Sequence, residues 1–137
     1  DYVNALIMNK AGEALIWEGN KLHSSGICWQ VMSFFLKPEA DPFSAVQQHL
    51  LTMTGFKTDY WSYLGSHVIE ADHSSGVGYY FCAQQACKVR SISLAHPANL
   101  TMKWVPQSDL HYALLDGRIP LLSHAFTVSL ALLTALK

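Results

Sequence analysis

The sequence predicts an α/β fold (α+β in some schemes), in which strands and helices follow one another along one chain. Half of the 137 residues are apolar and only 14% are charged, so the chain can bury a sizeable core. Residues 27–36 form an apolar run with few polar breaks, which is typical of a buried strand. A helix whose first and last residues can be recognised in the sequence follows this run. Further strand patterns lie before the run and after the helix.

The clearest helix signal lies between Asp41 and Gly55. Asp41 can cap the helix because its carboxylate accepts hydrogen bonds from the unpaired N–H groups of the first turn. Pro42 fits the first helical position, where no N–H is needed, and Gly55 suits the left-handed residue through which the chain leaves. The apolar residues between these ends recur at helical spacing and predict a buried stripe: Phe43, Val46, Leu50 and Met53.

Further strands are predicted on both sides of this helix. Before it, the patterns predict a strand at 2–8, a turn at 9–12, a return strand at 13–18 and a polar loop at 19–26. After it, they predict strands at 60–70 and 79–85 around a loop at 71–78, a mixed segment at 88–101 and a short strand at 102–105.

The C-terminal part predicts two helices. The first begins at Pro106, with Ser108 as its cap and Gly117 as its end. Ser123 can cap the second, which is expected to run to residue 136. Although residues 119–136 are mostly apolar, they carry hydroxyl groups and a histidine. We therefore expect a helix packed against the sheet rather than one that crosses a membrane.

Charge and cysteine content narrow the function classes. The net charge is −1 and no basic run is present, which argues against a nucleic-acid partner. The three cysteines, Cys28, Cys82 and Cys87, form no CxxC pair, and their odd number indicates a reducing compartment, which we take to be the cytoplasm. We expect a single domain, residues 1–137, which could have been trimmed from a longer chain.

The stretch 29–56, WQVMSFFLKPEADPFSAVQQHLLTMTGF, resembles the Nudix box of the Nudix hydrolases, G-x5-E-x7-R-E-U-x-E-E-x-G-U, where U is bulky and apolar. Without gaps, the end of the pattern falls on Leu50, Gly55 and Phe56. The later segments TGFKTDYWSYLG and SSGVGYYFCAQ resemble those of ADP-ribose pyrophosphatases, and the likeness covers nearly the whole chain. It implies the Nudix fold, a mixed sheet sandwiched between helices, with the box helix and the last helix on opposite sides.

The residues that carry the family's chemistry are missing. Six of the nine defined positions differ, and the three that match are structural. Nudix chemistry needs carboxylates on one helical face to hold magnesium beside a diphosphate. The resemblance therefore implies no catalytic residue, no metal site and no cofactor, with magnesium needed only if activity is retained. The altered positions, in order, are Phe34, Ala40, Gln48, His49, Thr52 and Met53.

Other acids could in principle replace the lost ones. Glu39, Glu70 and Asp72 are candidate displaced acids. His67 and His73 lie in the same segment as the last two, but the four side chains match no closed zinc pattern. The loop that often supplies a base in ADP-ribose pyrophosphatases corresponds to residues 91–101, which contain no acid.

Three functions remain open at this point. The leading hypothesis is a catalytically silent Nudix-fold module that binds a nucleotide-like ligand, and one of the chain's many aromatic rings could stack on its base. The second is a ligand-free module with a protein partner, in which Met32, Phe34 and Met53 fill the old cleft. The third is an active hydrolase of nucleoside diphosphate derivatives that uses the displaced acids.

Overall fold

The computed structural model describes residues 1–20, 26–69, 71, 76–92 and 99–137. The strands are β1 (Tyr2–Asn9), β2 (Glu13–Asn20), β3 (Ile27–Gln30), β4 (Met32–Phe35), β5 (Phe56–Lys57), β6 (Tyr60–Val68), β7 (Val77–Lys88) and β8 (Thr101–Pro106). The helices are α1 (Pro42–Thr54), α2 (Gln107–Asp116) and α3 (Leu122–Leu133).

Strand β1 lies at the centre of the sheet. It runs parallel to β7, from the pair Tyr2–Gly78 onward, and antiparallel to β4 on its other side. Strand β6 continues this part of the sheet by pairing antiparallel with β7. Through the hairpin turn after Asn9, β1 leads into β2, which pairs antiparallel with both β3 and β8. The sheet is therefore mixed, and the predicted hairpin is confirmed.

The segment predicted as one strand, 27–36, forms two strands instead. Its first half, β3, pairs with β2, and its second half, β4, pairs with β1. Val31 lies between them and donates its backbone N–H to Nδ1 of His124, 3.0 Å away. The single-strand prediction is wrong because the segment changes partners at Val31, and only the tertiary structure contains those partners.

The two sides of the sheet form separate apolar clusters. Side chains alternate along a strand, so successive residues of β1 point to opposite faces. Val3, Ala5 and Ile7 pack in one cluster with α1, whereas Leu6 and Met8 pack in the other cluster with α2 and α3. Helices therefore cover both faces of the sheet, with α1 and α3 on opposite sides, as predicted.

The starts of the last two helices differ from the predictions. Helix α2 begins directly after Pro106, and neither α2 nor α3 has a side-chain cap. Ser108 lies inside α2, and Ser123 lies inside α3, where its carbonyl accepts a hydrogen bond from Thr127 Oγ1. A cap must precede the first helical residue, so both cap predictions are wrong. The end of α2 at Gly117, which has φ 86°, is confirmed.

Helix α3 ends at Leu133, three residues earlier than predicted. Its buried residues, which include His124, Thr127 and Val128, pack against the sheet as expected. No helix within the described residues is long and apolar enough to cross a bilayer.

Candidate functional site

Helix α1 forms one wall of the candidate site, and its predicted ends are confirmed. Asp41 caps it through Oδ2, which accepts a hydrogen bond from the Ser44 N–H at 2.9 Å. Pro42 is the first helical residue, and Gly55 leaves the helix with φ 76°. The predicted stripe is only partly buried. Val46 is fully buried, but Phe43 is 44% exposed.

Gly55 is required by its close neighbours as well as by its conformation. A Cβ at this position would lie 2.1 Å from the carbonyl oxygen of Arg90. The Gly55 carbonyl accepts hydrogen bonds from the backbone N–H groups of Val89 and Arg90. The other two matching box positions are also structural. Leu50 is 1% exposed, and Phe56 packs on the ring of Trp104 at a centroid distance of 5.0 Å.

Four of the altered box positions contact one another in pairs. The rings of Phe34 and His49 stack, with centroids 4.2 Å apart and planes inclined by 19°. Gln48 Nε2 donates a hydrogen bond to Thr52 Oγ1 over 3.1 Å, one turn along α1. Burial lowers the pKa of His49, which favours the neutral imidazole. These four side chains therefore contact one another at positions where the Nudix pattern has a glycine, an arginine and glutamates.

A small cavity, which we call the box cleft, lies beside this pair and has a volume of about 180 Å3. Its lining residues come from α1, the strands β2 to β4 and the segment before β8. They are Trp17, Gln30, Val31, Met32, Ser33, His49, Met53 and Leu100. Apart from the imidazole of His49, none of them carries an acidic or basic group. The cleft therefore offers hydrogen-bonding groups and apolar surface, but no oxygen-rich set for a hard cation.

The remaining predicted residues lie apart from the box cleft or fall outside the described residues. Ala40 and Glu39 belong to a turn in which the Ala40 N–H donates to the Lys37 carbonyl, and Glu39 is exposed with φ 65°. Glu70 and Asp72, together with His73, fall outside the described residues.

His67 lies among aromatic rings, and within the described part of the chain it belongs to no cluster of possible metal ligands. His67 packs edge-on against the rings of Tyr80 and Phe126. Within the described residues, no three or more His, Cys, Asp or Glu side chains come together in a way that could hold a metal ion.

A hydrogen-bonded cluster braces the strands that contribute to the box cleft. The Trp29 indole N–H donates to Glu18 over 2.9 Å, and the Arg118 guanidinium lies 4.4 Å above the Trp29 ring. Lys103 approaches Glu18 at 3.3 Å. The hydrogen bond from Trp29 is the main reason why the pKa of Glu18 is lowered. The cluster ties β2, β3 and β8 together next to Trp17 and Gln30.

Sequence reasoning missed the part of the cleft that comes from outside the box. Trp17, Gln30, Ser33 and Leu100 line it, yet none belongs to a defined position of the pattern. The pairing of Trp17 with Gln30 across β2 and β3 brings two of them together. The only signal in the sequence was the abundance of aromatic residues, which does not say which ring lies in the cleft.

Comparison with known proteins supports the fold. No family model matches the sequence, and no curated protein matches it. The structure is similar to the crystal structure of an ADP compounds hydrolase, with a TM-score of 0.73. The match covers 96% of this chain and 71% of the other, at 13% sequence identity, so it establishes the fold alone. The chain has a Nudix-type fold, a mixed sheet flanked by helices, as predicted.

Proposed function

We propose that this chain is a Nudix-fold module without hydrolytic activity, which binds part of a nucleotide-like ligand in the box cleft and serves a regulatory role. The observation that carries the proposal is the composition of the cleft. His49 and Met53 line it at two positions where the box has glutamates, and no lining residue is acidic. Without carboxylates, the cleft lacks the ligands that would hold magnesium and activate water.

Three polar side chains and an aromatic ring support ligand binding. Gln30, Ser33 and His49 line the cleft together with Trp17. A few polar groups that converge in an apolar pocket are typical of small-molecule sites. The volume, about 180 Å3, is smaller than the roughly 300–1,000 Å3 of pockets for drug-sized ligands. We therefore propose that a base or a ribose enters, while the phosphates remain outside.

The second candidate function is that of a module that binds a protein partner and no small ligand. The stacked rings of Phe34 and His49 favour it, because they occupy space beside the box helix. Met32 is only 3% exposed and also contributes to the filled region. Under this hypothesis, the residual cavity is a packing feature and does not bind nucleotides.

Hydrolysis by displaced acids has less support. Glu39 is exposed in a turn and does not line the box cleft. A catalytic acid or base must come within hydrogen-bond reach of the reacting group. Glu70 and Asp72, the other candidates, lie outside the described residues.

The test is to add ADP-ribose to the purified domain with magnesium, and to measure both product release and binding heat. We expect binding without release of AMP. The variant Ser33→Trp, at an exposed position that lines the cleft, should abolish binding. The variant Ser66→Trp, at an exposed position of β6 outside the cleft, should not change it.

Each alternative has its own outcome in this experiment. Release of AMP that is lost on addition of a chelator would refute the non-hydrolytic proposal. Absence of binding to ADP-ribose and to other nucleoside diphosphate compounds would favour the protein-partner module. Binding that survives Ser33→Trp would remove the box cleft as the site.

A further inference from the structure

A second cavity lies at the N-terminal end of α1 and shares no lining residue with the box cleft. We call it the aromatic cleft. Its volume is about 410 Å3, and its wall combines the start of α1 with the strands β6 and β7. The lining residues are Asp41, Pro42, Phe43, Trp61, Tyr63, Tyr79 and Phe81. Five of these seven residues are aromatic, and none is basic.

The rings of the aromatic cleft meet at different angles, so the cleft is not a narrow space between two parallel rings. Phe81 is 3% exposed and contacts three other rings of the cleft. The Trp61 ring stands at 88° to that of Phe81 and at 83° to that of Phe43. Tyr63 leans over Phe81, with centroids 5.3 Å apart and planes inclined by 46°.

This geometry disfavours a flat heterocycle held between two parallel rings. Only Phe43 and Phe81 are close to parallel, with an interplanar angle of 24°. Their centroids are 6.0 Å apart, which is the spacing of two rings already in contact. No planar ring fits between them. A rounded group that touches several ring faces at different angles is a better match.

The charge of the lining residues favours a cationic ligand over an anionic one. Asp41 provides the one carboxylate of the lining, and it is exposed. Its Oδ2 accepts the capping hydrogen bond from the Ser44 N–H, which holds the carboxylate at the rim. Aromatic faces carry partial negative charge and attract cations, and cages of such rings bind quaternary ammonium groups. Anionic ligands would meet the carboxylate with no basic lining residue to offset it.

We propose that the aromatic cleft binds a small organic cation with a quaternary ammonium head group. The head contacts the faces of Trp61 and Tyr63 above the buried ring of Phe81, and the Asp41 carboxylate lies at the rim opposite its charge. The site is independent of the box cleft, since the two linings share no residue and the two ligands differ in charge. Failure of one proposal therefore leaves the other intact.

The experiment compares choline with 3,3-dimethylbutan-1-ol, which has the same shape but no charge. Binding to the full 137-residue chain is followed by tryptophan fluorescence and by NMR titration. We expect choline to bind and to shift aromatic signals of the cleft, whereas the neutral alcohol binds at least fivefold more weakly.

Three variants separate the effects of the Tyr63 ring and of the Asp41 charge on choline binding. Tyr63 is 59% exposed, so its replacement should leave the fold intact. Tyr63→Phe keeps an aromatic face and should retain binding, whereas Tyr63→Leu should weaken choline binding by about two- to fivefold. Asp41→Asn keeps a good capping side chain but removes the charge, and it should weaken choline binding without changing that of the alcohol.

Three results would overturn the proposal. The first is equal affinity for choline and the neutral alcohol, and the second is no detectable choline binding. The third is concentration-dependent self-association, measured by analytical ultracentrifugation, that Tyr63→Leu abolishes. That last outcome would identify the aromatic cleft as an interface between two copies of the chain.

Discussion

The imidazole of His49 stacks on the ring of Phe34, with centroids 4.2 Å apart, and this contact joins two altered positions of the box. One lies on β4 and the other on α1, where the pattern has a glycine and a glutamate. The stacked pair places apolar surface beside the box cleft, and burial lowers the pKa of His49. At these two positions of the pattern, the chain therefore has a packing contact between strand and helix.

The first prediction concerns this stack. Phe34→Ala should destabilise the fold by about 1–2 kcal/mol, because a half-buried ring and its stacking contact are lost. It should also raise the pKa of His49, because removal of the ring admits water. Phe35→Ala is the matched control, since Phe35 is the next residue of β4 and is 90% exposed.

Both quantities can be measured directly. Urea denaturation gives the free energy of unfolding, and the chemical shifts of the His49 ring protons give its pKa. If Phe34→Ala and Phe35→Ala changed stability equally and left the His49 pKa unchanged, the stack would have no structural effect.

The second prediction concerns pH and His124. Burial lowers the pKa of His124 to about 4 from the ordinary 6.5, and its Nδ1 accepts a hydrogen bond from Val31. Between these two values the unfolded chain binds more protons than the folded one, so stability rises with pH. The stabilisation is complete above pH 6.5 and is lost as the pH falls towards 4. The difference corresponds to about 3 kcal/mol.

The measurement is the free energy of unfolding between pH 7 and pH 4. His124→Gln, which can accept a hydrogen bond but does not titrate, should reduce the slope of the curve in this window, and the slope that remains includes the contribution of His49, whose pKa burial also lowers. His111→Gln, at an exposed position of α2, is the control and should leave the slope unchanged. A wild-type curve that is flat from pH 6.5 to 4 would contradict the assignment.

The third prediction compares two glycines with nearly the same conformation. Gly55 has φ 76° and Gly12 has φ 77°, but only Gly55 has a backbone atom within reach of an added Cβ. Gly12→Ala should cost about 1–2 kcal/mol, the strain of a left-handed residue. Gly55→Ala should cost more, because the Arg90 carbonyl oxygen must move as well. Equal losses in chemical denaturation would show that the contact with Arg90 relaxes without cost.

The fourth prediction concerns metal. Millimolar magnesium or manganese should not raise the melting temperature, because a ligand stabilises the native state only if it binds there. A variant with five changes restores the charged side chains of the box, and it should gain measurable metal affinity: Ala40→Glu, Gln48→Arg, His49→Glu, Thr52→Glu and Met53→Glu. It should also be less stable than the unmodified chain, because Met53 is half-buried and a charge there must be solvated or paired.

Thermal melts with and without the metals test both parts of this prediction. Calcium is larger than magnesium and tolerates irregular coordination geometry. Melts of the five-change variant with calcium therefore show whether its new carboxylates bind a cation even if their geometry does not suit magnesium. A clear upward shift for the unmodified chain would reveal a carboxylate site, for which Glu70 and Asp72 are the candidate residues.

The sequence by itself determined the box helix and the fold class. Asp41, Pro42 and Gly55 mark the ends of α1 through interactions with residues at most a few positions away, and such local signals are readable without a structure. The Nudix-like spacing then predicted six positions that differ from the Nudix pattern, and it predicted helices on both sides of a mixed sheet. The fold is confirmed, whereas the loss of catalysis remains a prediction.

Only the tertiary structure decided which distant residues meet. The division of the run 27–36 at Val31 depends on β1, β2 and His124, which are far away in sequence. The stack of Phe34 on His49 likewise depends on how strands and helices pack, and so do the ring contacts of Phe81 in the aromatic cleft. Apolar periodicity tells which side of an element is buried, but it does not specify the partner that buries it. The box cleft and the aromatic cleft are both products of that packing.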